Sequence, residues 1–266
     1  MDLRSLLLEA VKAGIEAGKE IMEVYGSDDF GIEIKEDNSP LTLADKKSND
    51  MIMKMLEGCN LPTLSEEGRS ITYEERKDWD HFWMIDPLDG TKEFVKRNGE
   101  FTVNIALIKS NTPIMGVIYV PVKKQLYFAC EGIGSFKTEE IEDTNGIDLD
   151  SLIDKSNKLP IAGLKSSFTV VGSRSHKSVE TEEFIAELSA KHGEIEMLSI
   201  GSSLKLCMVA EGKADVYPRY APTMEWDTAA GHVIAKEAQK NVLDYITGEP
   251  MLYNKENLLN NWFIVQ

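Results

Sequence analysis

The first part of the chain has the hydrophobic spacing of an amphipathic helix. Within residues 3–25 the apolar side chains fall mostly on one helical face: Leu3, Leu7, Val11, Ile15, Ile21 and Met22. This spacing predicts a helix that buries that face in a core. A second helix is predicted from about Leu43 to Glu57, with Gly58 as its end.

Short extended segments show a different pattern, in which apolar runs are bounded by turn residues. They are predicted at Gly31–Lys35, Leu61–Leu64 and Phe82–Ile85, with a turn at residues 37–40. Three runs with period-2 alternation come next: Phe101–Ile108, Pro113–Val120 and Gln125–Ala129. Because only short turns separate these runs, they predict an antiparallel meander.

The segment 138–158 is polar, acidic and poor in aromatic residues. We predict a loop or linker there, which divides an amino-terminal α+β domain (1–141) from a carboxy-terminal α/β domain (142–266). Beyond it, strand-like and helix-like segments alternate: Thr169–Gly172, Glu180–Lys191, Glu194–Leu198, Ser203–Ala210, Ala214–Tyr217, Asp227–Ala238 and Asn241–Tyr245. The sequence therefore predicts an α/β layered fold.

Composition narrows the class of protein. The 266 residues are 42% hydrophobic and carry a formal net charge of −16, which indicates a packed globular protein and argues against nonspecific binding to nucleic acid. Cys59, Cys130 and Cys207 form no CxxC pair, so we expect reduced thiols in a cytoplasmic protein. No signal peptide and no transmembrane segment are predicted. Peripheral association with an inner membrane and the oligomeric state stay open.

The stretch WMIDPLDGTKEF, residues 83–94, carries the most specific chemistry in the chain. An apolar strand leads into Asp86 and Asp89, which lie three residues apart, and Gly90–Thr91 then opens a predicted helix. Two carboxylates at one strand end repel each other without a cation, and a helix start attracts anions. The pattern therefore predicts a site where metal ions and a phosphate meet.

Four other acidic residues accompany this motif, and each has a purely structural alternative. Asp45 follows Thr42 by three residues and fits a helix capping box. Glu66 and Glu67 fit a solvated surface turn, and Asp227 fits a helix N-cap. These residues taken one at a time leave both interpretations open.

Taken together, the set D…EE…DPLDGT…WDTAA resembles the signature of the lithium-sensitive, magnesium-dependent phosphatases of the inositol monophosphatase superfamily, which includes fructose-1,6-bisphosphatase. Longer stretches are similar to 3′(2′),5′-bisphosphate nucleotidases of the CysQ type: residues 86–108, 172–176, 200–212 and 217–232. The resemblance extends over nearly the whole chain and is loosest in 138–158. It implies the layered αβαβα arrangement of that superfamily.

The resemblance implies that two or three Mg²⁺ ions bind the chain. Their ligands would be oxygen atoms, as Mg²⁺ prefers: Glu66, Asp86, the Leu88 carbonyl, Asp89 and Asp227. All of these except Asp86 would also reach the substrate. Glu67 would act through a water molecule, while Asp45 and Thr91 would orient the attacking water and accept its proton. The N–H groups of Gly90 and Thr91 would hold the scissile phosphate. An ion at Asp227 would stabilise the departing ribose oxygen.

The resemblance also indicates where the rest of a nucleotide binds. Ser202 and Lys205 are candidates for a 5′-phosphate, and Ser173 and His176 are candidates for other nucleotide contacts. As alternatives, Lys205 lies on a solvated helix face and His176 packs or caps a strand end. Residues 217–220 border an adenine in one interpretation and pack in the core in the other.

The sequence therefore predicts a phosphatase that removes the 3′-phosphate of adenosine 3′,5′-bisphosphate to give AMP. A second candidate substrate is 3′-phosphoadenosine 5′-phosphosulfate, which would connect the enzyme to sulfate assimilation. An inositol monophosphatase is the alternative enzyme. A metal-sensing or nucleotide-sensing protein on the same scaffold is the alternative from another class.

Overall fold

A computed structural model of the chain describes residues 1–35, 39–161, 163, 167–172 and 179–266. Its α-helices are α1 (Leu3–Tyr25), α2 (Leu43–Leu56), α3 (Tyr73–Arg76), α4 (Thr91–Val95), α5 (Leu149–Lys155), α6 (Val179–His192), α7 (Leu204–Glu211) and α8 (Glu225–Glu237). The first strands are β1 (Glu33–Ile34), β2 (Pro40–Leu41), β3 (Thr63–Ser65), β4 (His81–Asp89), β5 (Thr102–Lys109), β6 (Thr112–Val120) and β7 (Gln125–Cys130). The later strands are β8 (Gly134–Thr138), β9 (Asn157–Lys158), β10 (Phe168–Gly172), β11 (Ile195–Ser199), β12 (Tyr217–Arg219), β13 (Val242–Asp244) and β14 (Phe263–Val265).

A seven-stranded sheet in the order β3-β4-β5-β6-β7-β8-β9 forms the centre of the fold. The β3–β4 pair is parallel, and the other neighbouring strands run antiparallel. The predicted meander is confirmed as β5, β6 and β7. The two predicted amino-terminal helices are confirmed as α1 and α2.

The two faces of this sheet belong to two separate hydrophobic cores, because side chains alternate along each strand. In β4, Trp83 and Ile85 pack with α1 and α2, whereas Phe82 and Met84 pack with α7 and α8. Helices α7 and α8 contact β10, β12 and β13 beyond the central sheet, and α6 contacts β11. The order of layers is therefore αβαβα, as the family resemblance implied.

Several predicted boundaries were wrong. The expected loop at 138–158 contains α5 and β9, since Leu149 and Leu152 are buried in the first core and β9 pairs with β8. Helix α8 begins at Glu225, two residues before the predicted start, so Asp227 lies inside its first turn. The predicted strand Ala214–Tyr217 is observed further on, as β12. The division into domains at residue 141 stays a prediction.

No helix within the described ranges combines the length and the apolar character that crossing a membrane requires.

Candidate active site

Strand alternation places the first two carboxylates on the same face of the central sheet. Leu64 in β3 and Met84 in β4 both face the α7–α8 side, so the positions two residues further on, Glu66 and Asp86, follow the same face. The parallel register pairs Ser65 with Ile85, and the Glu66 N–H donates to the Ile85 carbonyl at 3.1 Å. The side chains of Glu66, just after β3, and of Asp86, within β4, thus lie side by side at one level of the sheet.

Helix α8 supplies the third carboxylate from above this face. Asp227 is the third residue of α8, and its Oδ2 accepts a hydrogen bond from the Met224 N–H at 2.9 Å. Glu225, fully buried, accepts the backbone N–H of Asn254 at 2.6 Å and so fixes the helix start to the carboxy-terminal segment. Oxygen atoms of Glu66, Asp86 and Asp227 lie within 4.8 Å of one another.

A bulge at the end of β4 turns the chain toward this cluster. The pairing with β5 shifts register between Asp86 and Asp89, and the Leu88 N–H donates to Asp86 Oδ1 at 3.0 Å. Gly90 follows with φ of +93°, where an added Cβ would approach the Glu100 carbonyl oxygen to 3.1 Å. Leu88, Asp89 and Gly90 therefore line the same cavity as the three clustered carboxylates.

Asp45 forms the helix cap that the sequence offered as one interpretation, and it also contacts Thr91. Its Oδ2 accepts the Thr42 N–H at 2.7 Å and so completes the capping box of α2. Its Oδ1 accepts the Thr91 hydroxyl at 3.1 Å, and that hydroxyl lies 3.3 Å from the Leu88 carbonyl oxygen. The cap therefore holds Asp45 in place beside Thr91.

Glu66 and Glu67 lie in a turn but are only partly exposed, and a lysine that sequence reasoning passed over pairs with both. The Lys35 ammonium donates to Glu66 at 2.8 Å and also to Glu67. Their carboxylates raise the pKa of Lys35 against the opposing effect of burial. Lys35 thus holds both glutamates toward the cluster from the end of β1.

The cluster concentrates negative charge in a buried place. Burial raises the pKa of Asp86 well above its ordinary value, and the charges of Glu66, Asp89 and Asp227 raise it further. Burial likewise raises the pKa of Asp227 well above its ordinary value, and it raises the pKa of Glu66 and of Asp89. A divalent cation would remove this repulsion, and an all-oxygen donor set suits Mg²⁺. The residues present therefore fit a metal centre.

A second, smaller cavity of about 140 Å³ adjoins this cluster. Asp89, Gly90 and Asp227 line both cavities, and Ser202 and Lys205 line the smaller one. Lys205 is 7% exposed, so the alternative of a solvated helix face is wrong. Its ammonium donates to the Ser202 carbonyl at 2.5 Å and lies 5.6 Å from the Tyr217 ring centre. Burial lowers the pKa of Lys205 to about 8.

A third cavity of about 270 Å³ continues from the second through shared walls at Tyr217 and Arg219. Tyr217 and Tyr220 are both buried, and their rings pack against other aromatic rings, Phe263 and Trp262 among them. The 217–220 stretch thus packs in the core and also borders a cavity. Ser173 and His176 lie outside the described residues.

The comparisons with known proteins agree with this arrangement. Residues 2–262 match the inositol monophosphatase family. The 3′(2′),5′-bisphosphate nucleotidase CysQ of Shigella flexneri is 45% identical over 253 residues, which is 94% of this chain and 94% of that protein. The crystal structure of CysQ from Bacteroides thetaiotaomicron is 52% identical, with a TM-score of 0.93 over 100% of this chain and 98% of that chain.

A more distant structure shares the fold. The suhB protein of Bartonella henselae is 24% identical, with a TM-score of 0.75 over 98% of this chain and 93% of its own. The match over residues 2–262 shows that the chain belongs to the inositol monophosphatase family, which is generally metal-dependent. Within that family it is similar to the CysQ proteins, so the resemblance drawn from the motifs is confirmed.

Proposed function

We propose that this protein is a Mg²⁺-dependent 3′(2′),5′-bisphosphate nucleotidase that hydrolyses the 3′-phosphate of adenosine 3′,5′-bisphosphate. The observation that carries the proposal is the buried Lys205 in a cavity continuous with the carboxylate cluster. A phosphatase for a single phosphate has no need of a second cationic pocket beside its metal centre. The activity for which the CysQ relatives are named supports the same substrate class.

The metal ligands proposed are the carboxylates of Glu66, Asp86, Asp89 and Asp227 with the Leu88 carbonyl. When bound, two or three Mg²⁺ ions would activate a water molecule and withdraw charge from the phosphate and the leaving oxygen. The binding of cations also offsets the desolvation that raises the pKa of these carboxyl groups. Glu67 would reach the centre through water, because Lys35 already holds it beside Glu66.

The residues of the chain have separate tasks in the proposed reaction. Asp45 and Thr91, 3.1 Å apart, orient the attacking water, and the Asp45 carboxylate takes its proton. The N–H groups of Gly90 and Thr91 hold the scissile phosphate in line with that water. Ser202 and Lys205 bind the 5′-phosphate, and water attack leaves AMP and inorganic phosphate with no covalent enzyme intermediate.

Phosphate release from a panel of substrates tests this proposal. We expect kcat/KM for adenosine 3′,5′-bisphosphate with Mg²⁺ to exceed that for inositol 1-phosphate and fructose 1,6-bisphosphate by at least about a hundredfold, since a buried ionic contact is lost with the wrong substrate. Lithium is expected to suppress turnover. A preference for inositol phosphate would leave the catalytic centre but refute the nucleotide pocket. No turnover of any of the three would favour a sensor.

The pH dependence of nucleotide hydrolysis should report Lys205. Because burial lowers the pKa of Lys205 to about 8, the free enzyme loses this positive charge as the pH rises through that value. We therefore expect kcat/KM for adenosine 3′,5′-bisphosphate to fall about tenfold per pH unit above pH 8. Steady-state rates between pH 6.5 and 10 measure this.

Two controls isolate the 5′-phosphate contact. Adenosine 3′-monophosphate lacks the second phosphate, so its kcat/KM should show no such fall. In Lys205→Arg the guanidinium stays charged throughout this range, and the fall for the bisphosphate should disappear. The same decline for both substrates, or for both enzymes, would show that a different group titrates.

We also propose a cellular location and a second substrate. Cys59, Cys130 and Cys207 are free thiols, which fits a reducing cytoplasm. We further propose that 3′-phosphoadenosine 5′-phosphosulfate is accepted, because its sulfated 5′-phosphate presents the same inner oxygens to Lys205.

A further inference from the structure

One peptide unit, between Ser202 and Ser203, touches both of the proposed phosphate subsites. Its N–H group, on Ser203, donates a hydrogen bond to Oδ2 of Asp89. Its carbonyl group, on Ser202, accepts from the Lys205 ammonium at 2.5 Å. Any rotation of this peptide would therefore change the surroundings of a proposed metal ligand and of the proposed 5′-phosphate cation together.

The conformation of this peptide has to be held by its surroundings. Ser202 has φ of +48°, in the left-handed region that disfavours residues with a side chain. Such backbone conformations persist where neighbouring contacts fix them, and they cluster at functional sites. The contacts of Ser203 are therefore the place to look for what fixes it.

Three buried polar side chains meet directly behind the peptide. The hydroxyl groups of Thr102 and Ser203 lie 2.8 Å apart, and both donate to Asn104 Oδ1, at 3.0 and 2.9 Å. Thr102, Asn104 and Ser203 are 0%, 1% and 2% exposed. We call these three residues the β5–α7 triad.

Burying the polar side chains of the triad costs stability, so their presence calls for a reason. Asn104 occupies the β5 position opposite Asp86, on the face where Ala106 and Ile108 are apolar. Its Nδ2 is buried and meets no acceptor among the described residues in good hydrogen-bond geometry, although the Asn104 side chain lies close enough to Asp89 to lower the pKa of that carboxyl group. Buried polar groups with an unmet donor are rare and call for an explanation. An apolar residue at this position would pack the core without that cost.

We propose that the β5–α7 triad is a positioning device that holds the Ser202–Ser203 peptide and thereby couples the metal centre to the 5′-phosphate subsite. The inference rests on the proposed function, because it assumes both subsites. Cations would fix the Asp89 carboxylate, a 5′-phosphate would fix Lys205, and both contacts meet at one peptide that the triad keeps in its left-handed turn. Coupling of this kind is reciprocal, so each ligand should strengthen binding of the other.

Steady-state kinetics of Thr102→Val and Ser203→Ala test the coupling. In the native enzyme, the Mg²⁺ concentration that half-saturates the rate should be about tenfold lower with adenosine 3′,5′-bisphosphate than with adenosine 3′-monophosphate. In each variant this difference should vanish. The kcat/KM preference for the bisphosphate should fall about tenfold, while kcat for the monophosphate changes little.

Ser135→Ala is the matched control, because Ser135 is equally buried and its hydroxyl has no hydrogen-bond partner in the part of the chain that is described. It should leave both the Mg²⁺ difference and the substrate preference unchanged. Thermal unfolding of all three variants identifies any that fails to fold. If Ser203→Ala fails to fold, Thr102→Val still tests the coupling, because valine conserves the shape of the threonine side chain.

The outcomes separate the two proposals. If the native enzyme itself does not prefer the bisphosphate, the proposed function fails. If it does, and both folded variants keep the preference and the Mg²⁺ difference, the positioning role is overturned. An equal loss of kcat on both substrates, with the preference intact, would also overturn it, because it would show a structural role alone.

Discussion

Asp86→Asn is expected to lower kcat/KM for adenosine 3′,5′-bisphosphate by at least about a hundredfold and yet to make the metal-free protein more stable to heat. The amide can still accept the Leu88 N–H bond through Oδ1, so the bulge at the end of β4 should survive. The substitution removes an ionisable carboxyl group that is 1% exposed and lies among other carboxylates. Rates with saturating Mg²⁺, and thermal unfolding in EDTA, measure both effects.

The stability gain has a defined pH dependence. Burial, with the neighbouring charges, raises the folded-state pKa of Asp86 well above its ordinary value, so the folded protein binds this proton more tightly than the unfolded chain. The metal-free protein therefore loses stability as the pH rises above the unfolded pKa of about 3.9. Asparagine removes that loss. The variant should be the more stable form near pH 7, and the difference should vanish below about pH 4.

Asp78→Asn is the control, because Asp78 is exposed and lies outside the cluster. It should keep full activity and an unchanged unfolding temperature in EDTA. Mg²⁺ should raise the unfolding temperature of the native protein and of this control, but hardly that of Asp86→Asn. Full activity in Asp86→Asn would refute the proposed ligand, and a lower metal-free stability would refute the account of charge repulsion.

Much of this site follows from two sequence patterns. Period-2 alternation through FWMID places Asp86 on the same face as Phe82 and Met84, and the DPLDGT and WDTAA motifs supply the partners. The meander of β5 to β7 has strong alternation and short turns, and these are the local signals that sequence reasoning reads well. Helix α1 is similar, since one whole face of it is apolar.

The parts that sequence reasoning missed depend on contacts between distant residues. Lys35 pairs with Glu66 across 31 positions, and Asn104 meets Ser203 across 99, so no local pattern reveals either contact. The polar residues of FTVNIAL were still a signal, since Asn104 interrupts a run of buried apolar positions. Helix α5 was mistaken for a loop because its acidic surroundings hide two buried leucines. Burial of those leucines by α1 and the sheet overrides the weak local pattern.

Among substitutions of glycine by alanine in the strands and helices that hold this site, Gly116→Ala should have the largest effect on stability. Gly116 lies in the middle of β6, and an added Cβ would stand 2.3 Å from the Ala230 carbonyl oxygen of α8. Because that neighbour is backbone, the whole helix has to move. We expect a loss of about 1–3 kcal/mol in unfolding free energy, which lowers the unfolding temperature by roughly 2–10 °C.

The displacement should also reach the metal centre, since Asp227 lies one helical turn before Ala230 on α8. We therefore expect the Mg²⁺ concentration for half-maximal rate to rise severalfold, with kcat at saturating Mg²⁺ less affected. Gly58→Ala is the matched control, because an added Cβ there meets nothing within 4 Å and should leave Mg²⁺ activation unchanged. A fall in unfolding temperature with normal Mg²⁺ activation would mean that α8 yields without moving Asp227, and that the close contact at Gly116 supports the fold but not the site.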